Sequence, residues 1–314
     1  MRFLRLFLVS CLAAFALTAC GGRSSQTVTV VVAQGSSLKA AARALEKEGA
    51  VESSSAFLRY AQLFGGSEPI KPGEYEIKAG MSDSEVLKLL QSGKTVQRLV
   101  VIPPGLPSVM VHDRLMANEM LTGEIGVPAE GSILPDSYAY TRGESRQKVV
   151  KRMQDAMTKT LAKLWAERKA SSVVNTPEEA IILAAIVEKE TGKAEERRLV
   201  AGVYSNRVRI GMRLQADPTV IYPVTKGRPL GRRILRSELD ADNGYNTYAR
   251  AGLPIGPIAN PGKASIAAVL DPEPTQSLYF VADGTGGHVF ANTLDQHNAN
   301  VEKWFALRKA KGEM

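Results

Sequence analysis

The sequence predicts an α+β fold: a small α+β subdomain followed by a mixed, helix-rich domain. Three observations predict it. The chain has 314 residues, too many for a single small core. Its first part alternates short β-rich runs with well-marked helix starts. Its middle holds a helix that is apolar on every side, which only a larger surrounding body can bury. Apolar residues make up 44% and charged residues 23%, proportions of an ordinary globular protein. The segments that follow are 1–20, a signal or membrane anchor; 21–26, a tether; 27–97, the α+β subdomain; 98–175, a helical connecting region; and 176–314, the larger domain.

At the N-terminus, Arg2 and Arg5 precede a largely apolar run from Leu6 to Ala19. The run is short for a bilayer-spanning helix and has the parts of an export signal. It closes as Leu17-Thr18-Ala19-Cys20-Gly21, which resembles the lipobox of bacterial lipoproteins and implies Cys20 as the lipidated residue. An uncleaved signal anchor is the alternative. Both place the rest of the chain outside the cytoplasm. Gly21 to Gln26 then reads as a short Gly/Ser tether.

In the subdomain, VTVVVAQG from residue 28 suits a strand ended by Gly35 and Ser36. Helices are expected from Ser37 to Glu48 and from Ser53 to Phe64. Lys71 to Ile77 reads as a turn and a strand, and Ser82 to Leu90 as a helix stopped by Gly93. Leu99 to Ile102 is expected as a strand closed by Pro103-Pro104-Gly105. The stretch from Leu106 to Ala170 reads as mostly helical. It is interrupted by a polar, proline-bearing segment, Glu130 to Tyr138, read as a loop.

Composition limits the chemistry. Only Cys11 and Cys20 exist, so the body is expected to hold no disulfide and no thiolate metal site. His112, His288 and His297 are far apart; no metal and no cofactor is expected, and a hydrolase or transferase without metal is favoured. The net charge of +8 suits an anionic partner such as an acidic wall polymer. No Lys/Arg block alternates with aromatic residues, so nucleic acid is not expected as a partner.

The sharpest signal lies at residues 176–193. Thr176 is a good N-cap, Pro177 suits the first helical position, and Glu179 is placed for a capping box. Ala180 to Val187 is apolar and runs into Glu188 and Glu190. These two acids lie about 200° apart around a helix, so only one can face a given cleft. A carboxyl at the C-terminal end of a buried helix loses solvation and meets the negative end of the dipole. Both effects favour the protonated form, which a general acid needs. Pairing of both glutamates with nearby basic residues is the plainer alternative.

A second helix is expected from Ala194 to Ile210, with Leu199, Val203 and Ile210 on one face and a stop at Gly211. Beyond it, MRLQADPTVIYP, YNTYARAGLPIGPIANPG and LYFVADGTGGHVFANTLDQHN read as loops. They are rich in the amides, carboxylates, tyrosines, prolines and glycines from which sugar sites are made.

These runs, with IVEKETG, the Glu196-Arg197 pair and VYSNRVRIGMRLQADPTVIY, resemble the successive motifs of the YceG-like endolytic murein transglycosylases. The likeness is dense from Glu179 to Val301. Upstream, EGSILPDSY resembles a further family segment and KPGEYEIKAGMS its LysM-like subdomain, so the fold implied is a LysM-like α+β subdomain followed by the catalytic domain. The resemblance implies Glu190 as the acid/base, with Gln215, Asp217, Tyr245, Asn246 and Tyr248 at motif positions expected to line the cleft. It implies peptidoglycan glycan strands as substrate, peptidoglycan synthases as further partners, and a body in the periplasm held to the inner membrane by the N-terminal anchor. Familiar members use a transmembrane helix where this chain has a lipobox-like signal. If Asp217 were a second catalytic carboxylate, water would be the nucleophile and the enzyme a lysozyme-type hydrolase. A non-catalytic scaffold that only holds glycan is the other reading left open.

Overall fold

The structure, a computed structural model, describes residues 23–312. Cys20 and the expected anchor 1–20 lie outside the described residues. Among those described, no helix is long and apolar enough to cross a membrane. The chain divides into two compact units, one ending at Val96 and the other starting at Gln97.

The first unit is β1 (Val28–Val32), α1 (Leu38–Lys47), α2 (Ser54–Phe64), β2 (Gly73–Ile77) and α3 (Asp83–Ser92). Strands β1 and β2 pair antiparallel, Val28 opposite Ile77 and Val32 opposite Gly73. Each helix opens on a serine whose hydroxyl accepts from a backbone N–H three residues on: Ser37 from Ala40, Ser53 from Ala56, Ser82 from Glu85. Such caps contribute about 1 kcal/mol each. Gly93 ends α3 at φ 72°, the left-handed position that glycine fills without strain. Leu45, Phe57, Tyr75, Val86 and Leu90 form the core, and the Tyr75 hydroxyl is satisfied by the carbonyls of Lys71 and Leu90.

The second unit starts with β3 (Arg98–Val101), α4 (Ser108–Met116), β4 (Ser137–Tyr140) and α5 (Arg146–Ala166). The mostly helical reading of 106–170 needs correction. Between α4 and α5 the chain is loop and strand, and Ser137 to Tyr140 pair antiparallel with β3. Tyr138 and Tyr140 serve structure there: the Tyr138 hydroxyl donates to Leu134 O at 2.6 Å, and Tyr140 is buried in the local core. Arg146 organises the connection, its guanidinium donating to the carbonyls of Leu115, Met116, Asn118 and Gly123.

Then follow α6 (Pro177–Glu190), α7 (Arg197–Arg209), α8 (Asp217–Thr225), α9 (Arg236–Asp240), α10 (Lys263–Leu270), β5 (Tyr279–Ala282), β6 (His288–Ala291) and α11 (Leu294–Ala310). Helix α6 is the centre of this unit. Ala180, Leu183, Ala184, Ala185, Ile186 and Val187 are all fully buried, in a core shared with Met157 of α5, Val200 and Tyr204 of α7, and Ile266 and Val269 of α10. Each large apolar side chain buried there contributes roughly 1.5–3 kcal/mol, so the helix is held from all sides.

Its start differs in one detail from a reciprocal capping box. Thr176 Oγ1 accepts from Glu179 N at 3.1 Å, but the Glu179 carboxylate takes the amide of Asn175, one residue before the cap. On α7 the buried side carries Val200, Ala201, Val203, Tyr204 and Arg207, whereas Ile210, expected on the same face, is 61% exposed. Of the three runs expected as loops, 245–262 is loop, 212–223 holds most of α8, and 278–298 forms an antiparallel hairpin, Tyr279 opposite Ala291 and Ala282 opposite His288, and the start of α11.

Candidate active site

Two glutamates leave the last turn of α6 in opposite roles. Glu188 Oε2 accepts from Gly262 N at 2.8 Å and from Ser265 Oγ at 2.7 Å. It therefore caps the start of α10 from a neighbouring helix, a favourable place for a carboxylate. Arg197 adds a longer ion pair, 3.9 Å from Oε1.

Glu190 faces a cavity of about 500 Å³. Its Oε1 is buried with no hydrogen-bond partner among the described residues. An unsatisfied buried carboxyl oxygen is costly as an anion and tolerable as an acid. Burial accordingly pushes its pKa up to about 7, with the negative charge of Asp217 adding to the rise. Hydrogen bonding from the buried Tyr204 phenol and the positive charge of Arg207 act in the other direction. A carboxyl balanced near neutrality can give a proton and then take one back.

Asp217 reaches the same cavity from the first residue of α8. Its Oδ1 accepts from the Tyr248 hydroxyl at 2.6 Å. A pair of buried threonines brings the two residues together. Thr219 Oγ1 and Thr247 Oγ1 lie 2.8 Å apart, and Thr247 Oγ1 accepts from Ala216 N while Thr219 Oγ1 accepts from Thr247 N. This knot ties the start of α8 to the YNTY segment. Gln215, just before it, adopts φ 51°, a left-handed conformation that a non-glycine residue holds only when its surroundings require it. Its amide N–H donates to Thr247 O at 3.2 Å, and its side chain lines the cavity.

Glu190, Gln215, Asp217 and Tyr248 therefore meet at one cavity, but Tyr245 and Asn246, expected to line the cleft, do not. Tyr245 packs its ring against Tyr222, centroids 5.0 Å apart. Asn246 is buried, its Nδ2 donating to the carbonyls of Glu238, Leu239 and Ala241 and its Oδ1 accepting from Tyr248 N. It shapes the loop that carries Tyr248.

Other groups at the cavity are Tyr204 and Arg207 of α7, Tyr279 of β5, and His297 and Asn298 of α11. Arg207 is buried, with Nε on Leu278 O and Nη1 on Leu214 O, both at 2.6 Å. Its guanidinium lies 5.4 Å from the Tyr279 ring centroid, and that ring stacks on His297 at 5.1 Å. Burial, helped by Arg207, holds the His297 pKa below the usual imidazole value. On the sequence, Tyr204 and Arg207 fall within VYSNRVRIGMRLQADPTVIY and His297 within LDQHN. Nothing in those runs separates them from their neighbours.

Residues 30–303 match the model of the YceG-like family. The chain is 28% identical over 321 residues to the endolytic murein transglycosylase of Bacillus subtilis (strain 168), covering 92% of this chain and 88% of that protein. It is also 28% identical over 327 residues to the endolytic murein transglycosylase of Streptococcus pneumoniae serotype 2 (strain D39 / NCTC 7466). There the match covers 88% of this chain but spans only 58% of the longer relative. A crystal structure of a YceG-like protein from Listeria monocytogenes superposes with a TM-score of 0.55 at 28% identity, covering 88% of this chain and 99% of that one.

Proposed function

We infer the function from the family to which this chain belongs, the YceG-like family, and from the carboxyl at its central cavity. The enzyme is an endolytic murein transglycosylase, a lyase that cuts glycan strands of peptidoglycan internally. The observation that carries the mechanism is Glu190, buried at the end of α6 with its pKa pushed up to about 7.

Glu190, protonated, gives its proton to the oxygen between N-acetylmuramic acid and N-acetylglucosamine as the C1–O bond breaks. The resulting carboxylate takes the proton of the muramic C6 hydroxyl, whose oxygen bonds to C1. The products are a free 4-hydroxyl on the leaving strand and a 1,6-anhydro end on the other, and the carboxyl returns to its starting state. Asp217, held by Tyr248, supplies a fixed negative charge that favours the positive charge developing at C1. It also helps keep Glu190 protonated.

The reaction takes place in the periplasm, on nascent strands, with the chain held at the inner membrane through lipidated Cys20. Support for the anchor is the Leu17–Gly21 run alone. Cutting nascent strands there would limit their length and bring the protein beside peptidoglycan synthases.

Mass spectrometry of murein digested by the purified protein tests the chemistry. Transglycosylation gives 1,6-anhydromuramic ends, one water lighter than reducing ends, with strands of intermediate length appearing first. Reducing ends would make water the nucleophile, and no cleavage would leave only a glycan-holding role.

A further inference from the structure

A second cavity, of about 370 Å³, also opens onto Glu190 and has no other wall residue in common with the first. It belongs to the C-terminal end of β5, the 283–287 loop, His288, Trp304 in the later turns of α11, and Lys311 just beyond its end. The first cavity uses earlier parts of those same elements: Tyr279 and Phe280 of β5, His297 and Asn298 of α11. His297, Trp304 and Lys311 succeed one another at seven-residue intervals, on one face of the helix. Seven residues span about 10 Å along a helix. The two cavities therefore follow each other along β5 and α11, with Glu190 at their junction.

The second cavity has an open mouth and a closely packed interior. A Cβ added at Gly192 or Gly286 would meet nothing within 4 Å, so its mouth is bare backbone. Farther in there is no slack. A Cβ at Gly284 would lie 2.2 Å from Leu307 Cδ2 and 3.4 Å from Trp304 Cζ3, and one at Gly287 would lie 2.4 Å from Glu196 Oε1. Glycine at these points brings the loop directly onto Trp304 and Glu196. His288 is aimed from behind. Its Nδ1 lies 2.8 Å from Glu196 Oε2, and its backbone N–H donates to Oε1. An ionised carboxylate only accepts, so Nδ1 carries a proton and Nε2 is left free of this contact. Thr191, next to the catalytic acid, donates to the same Oε2 at 3.2 Å.

We propose that this cavity is a saccharide subsite on the side of the scissile bond opposite to Asp217, with Trp304 as the surface against which the sugar ring lies. His288 hydrogen-bonds a ring hydroxyl, and the Thr191–Glu196–His288 chain keeps that wall in register with Glu190. An aromatic face beside a polar group is the arrangement that recognises a pyranose, apolar on its C–H face and polar at its rim. The proposal rests on the murein reading of the first cavity and adds which residues hold the other half of the strand.

The chain has two tryptophans, and Trp165 lies on α5 beside Arg168. In the full-length protein with Trp165→Phe and Glu190→Gln, fluorescence therefore reports on Trp304 while the ligand stays uncut. A soluble murein tetrasaccharide should change that emission saturably. With Glu190 restored, Trp304→Leu should raise KM on glycan strands about tenfold and leave kcat within a few-fold. Gly192→Leu, whose Cβ would meet nothing within 4 Å, should do the same if Trp304→Leu fails to fold. Silent Trp304 emission together with a wild-type KM in the folded variants would overturn the subsite. An emission change in a protein whose wild type cuts no murein would keep the sugar site and discard the reaction. Cleavage by the wild type, with silent emission and a wild-type KM in the folded variants, would discard the subsite alone.

Discussion

The hydroxyl of Tyr248 donates to Oδ1 of Asp217 over 2.6 Å, joining residues 31 positions apart at the mouth of the Glu190 cavity. Tyr248→Phe keeps the ring and removes this bond. A hydrogen bond to a charged group contributes about 1.5–3 kcal/mol, so kcat/KM should fall at least about tenfold. Circular dichroism should be unchanged. Wild-type kinetics in the folded variant would show that the bond does not position Asp217 for the reaction.

Glu190→Gln keeps the shape and removes the proton. Turnover should fall by roughly 10²–10⁴-fold or more, since the residue acts as acid and then as base. Release of anhydro ends from murein, quantified by mass, gives the rate. Undiminished cutting would remove Glu190 from the mechanism.

The same variant makes a stability prediction. The Glu190 pKa is raised from 4.5 to about 7 in the folded protein. Protonated, it is accommodated; ionised, it is a buried anion. The wild type therefore loses stability as pH rises from 4.5 through 7, because the folded state holds a proton that the unfolded state has released. Glu190→Gln avoids that loss. Its unfolding free energy should exceed that of the wild type by a few kcal/mol, on the order of 3, at pH 8, and match it below pH 4.5. Equal denaturant midpoints at pH 8 would contradict the raised pKa.

Neighbours should move the pH profile in opposite directions. The charge of Asp217 raises the Glu190 pKa and the Tyr204 hydrogen bond lowers it. A general acid is lost as pH rises through its pKa. Asp217→Asn should thus shift the alkaline limb of kcat/KM to lower pH, and Tyr204→Phe to higher pH. Shifts of the same sign in both variants would be incompatible with these electrostatics.

Asn246→Asp tests the structural reading of that residue. Three carbonyls face its amide nitrogen, and a carboxylate oxygen there can donate to none of them. Stability should drop by about 1–3 kcal/mol, with activity following the folded fraction. A stable variant with a raised KM would instead mean that Asn246 touches substrate.

The end of α6 was legible in the sequence because its helix carries every local sign: a Thr cap, Pro at the first position, an unbroken apolar run, and acids at the end. The choice of Glu190 over Glu188 came from the family resemblance. Arg207 was not legible, because its partners are the carbonyls of Leu214 and Leu278, and only the second lies far along the chain. Helix α8 was hidden by Pro218 and Pro223. Pro218 lies in the first turn, where its missing N–H costs nothing. Tyr245 and Tyr248 come from one motif yet part company, one packed against the core and one in the cavity. The Thr247 knot, invisible to composition, decides which way each points. In the first unit the serine caps and Gly93 placed the helix ends to within a residue or two. Among residues 106–170 the pairing of β4 with β3 depends on a partner some 36 residues away, which local periodicity does not report.

The attachment of Glu188 to Gly262 and Ser265 separates aim from recognition. It fastens the last turn of α6 to a helix that lines neither cavity, so the acid takes its bearings from a part of the molecule the glycan never meets. The loops around it can then be exchanged to accept other strand lengths or substituents without re-aiming the proton. A designer seeking a new substrate range would leave this fastening alone and vary only what surrounds it.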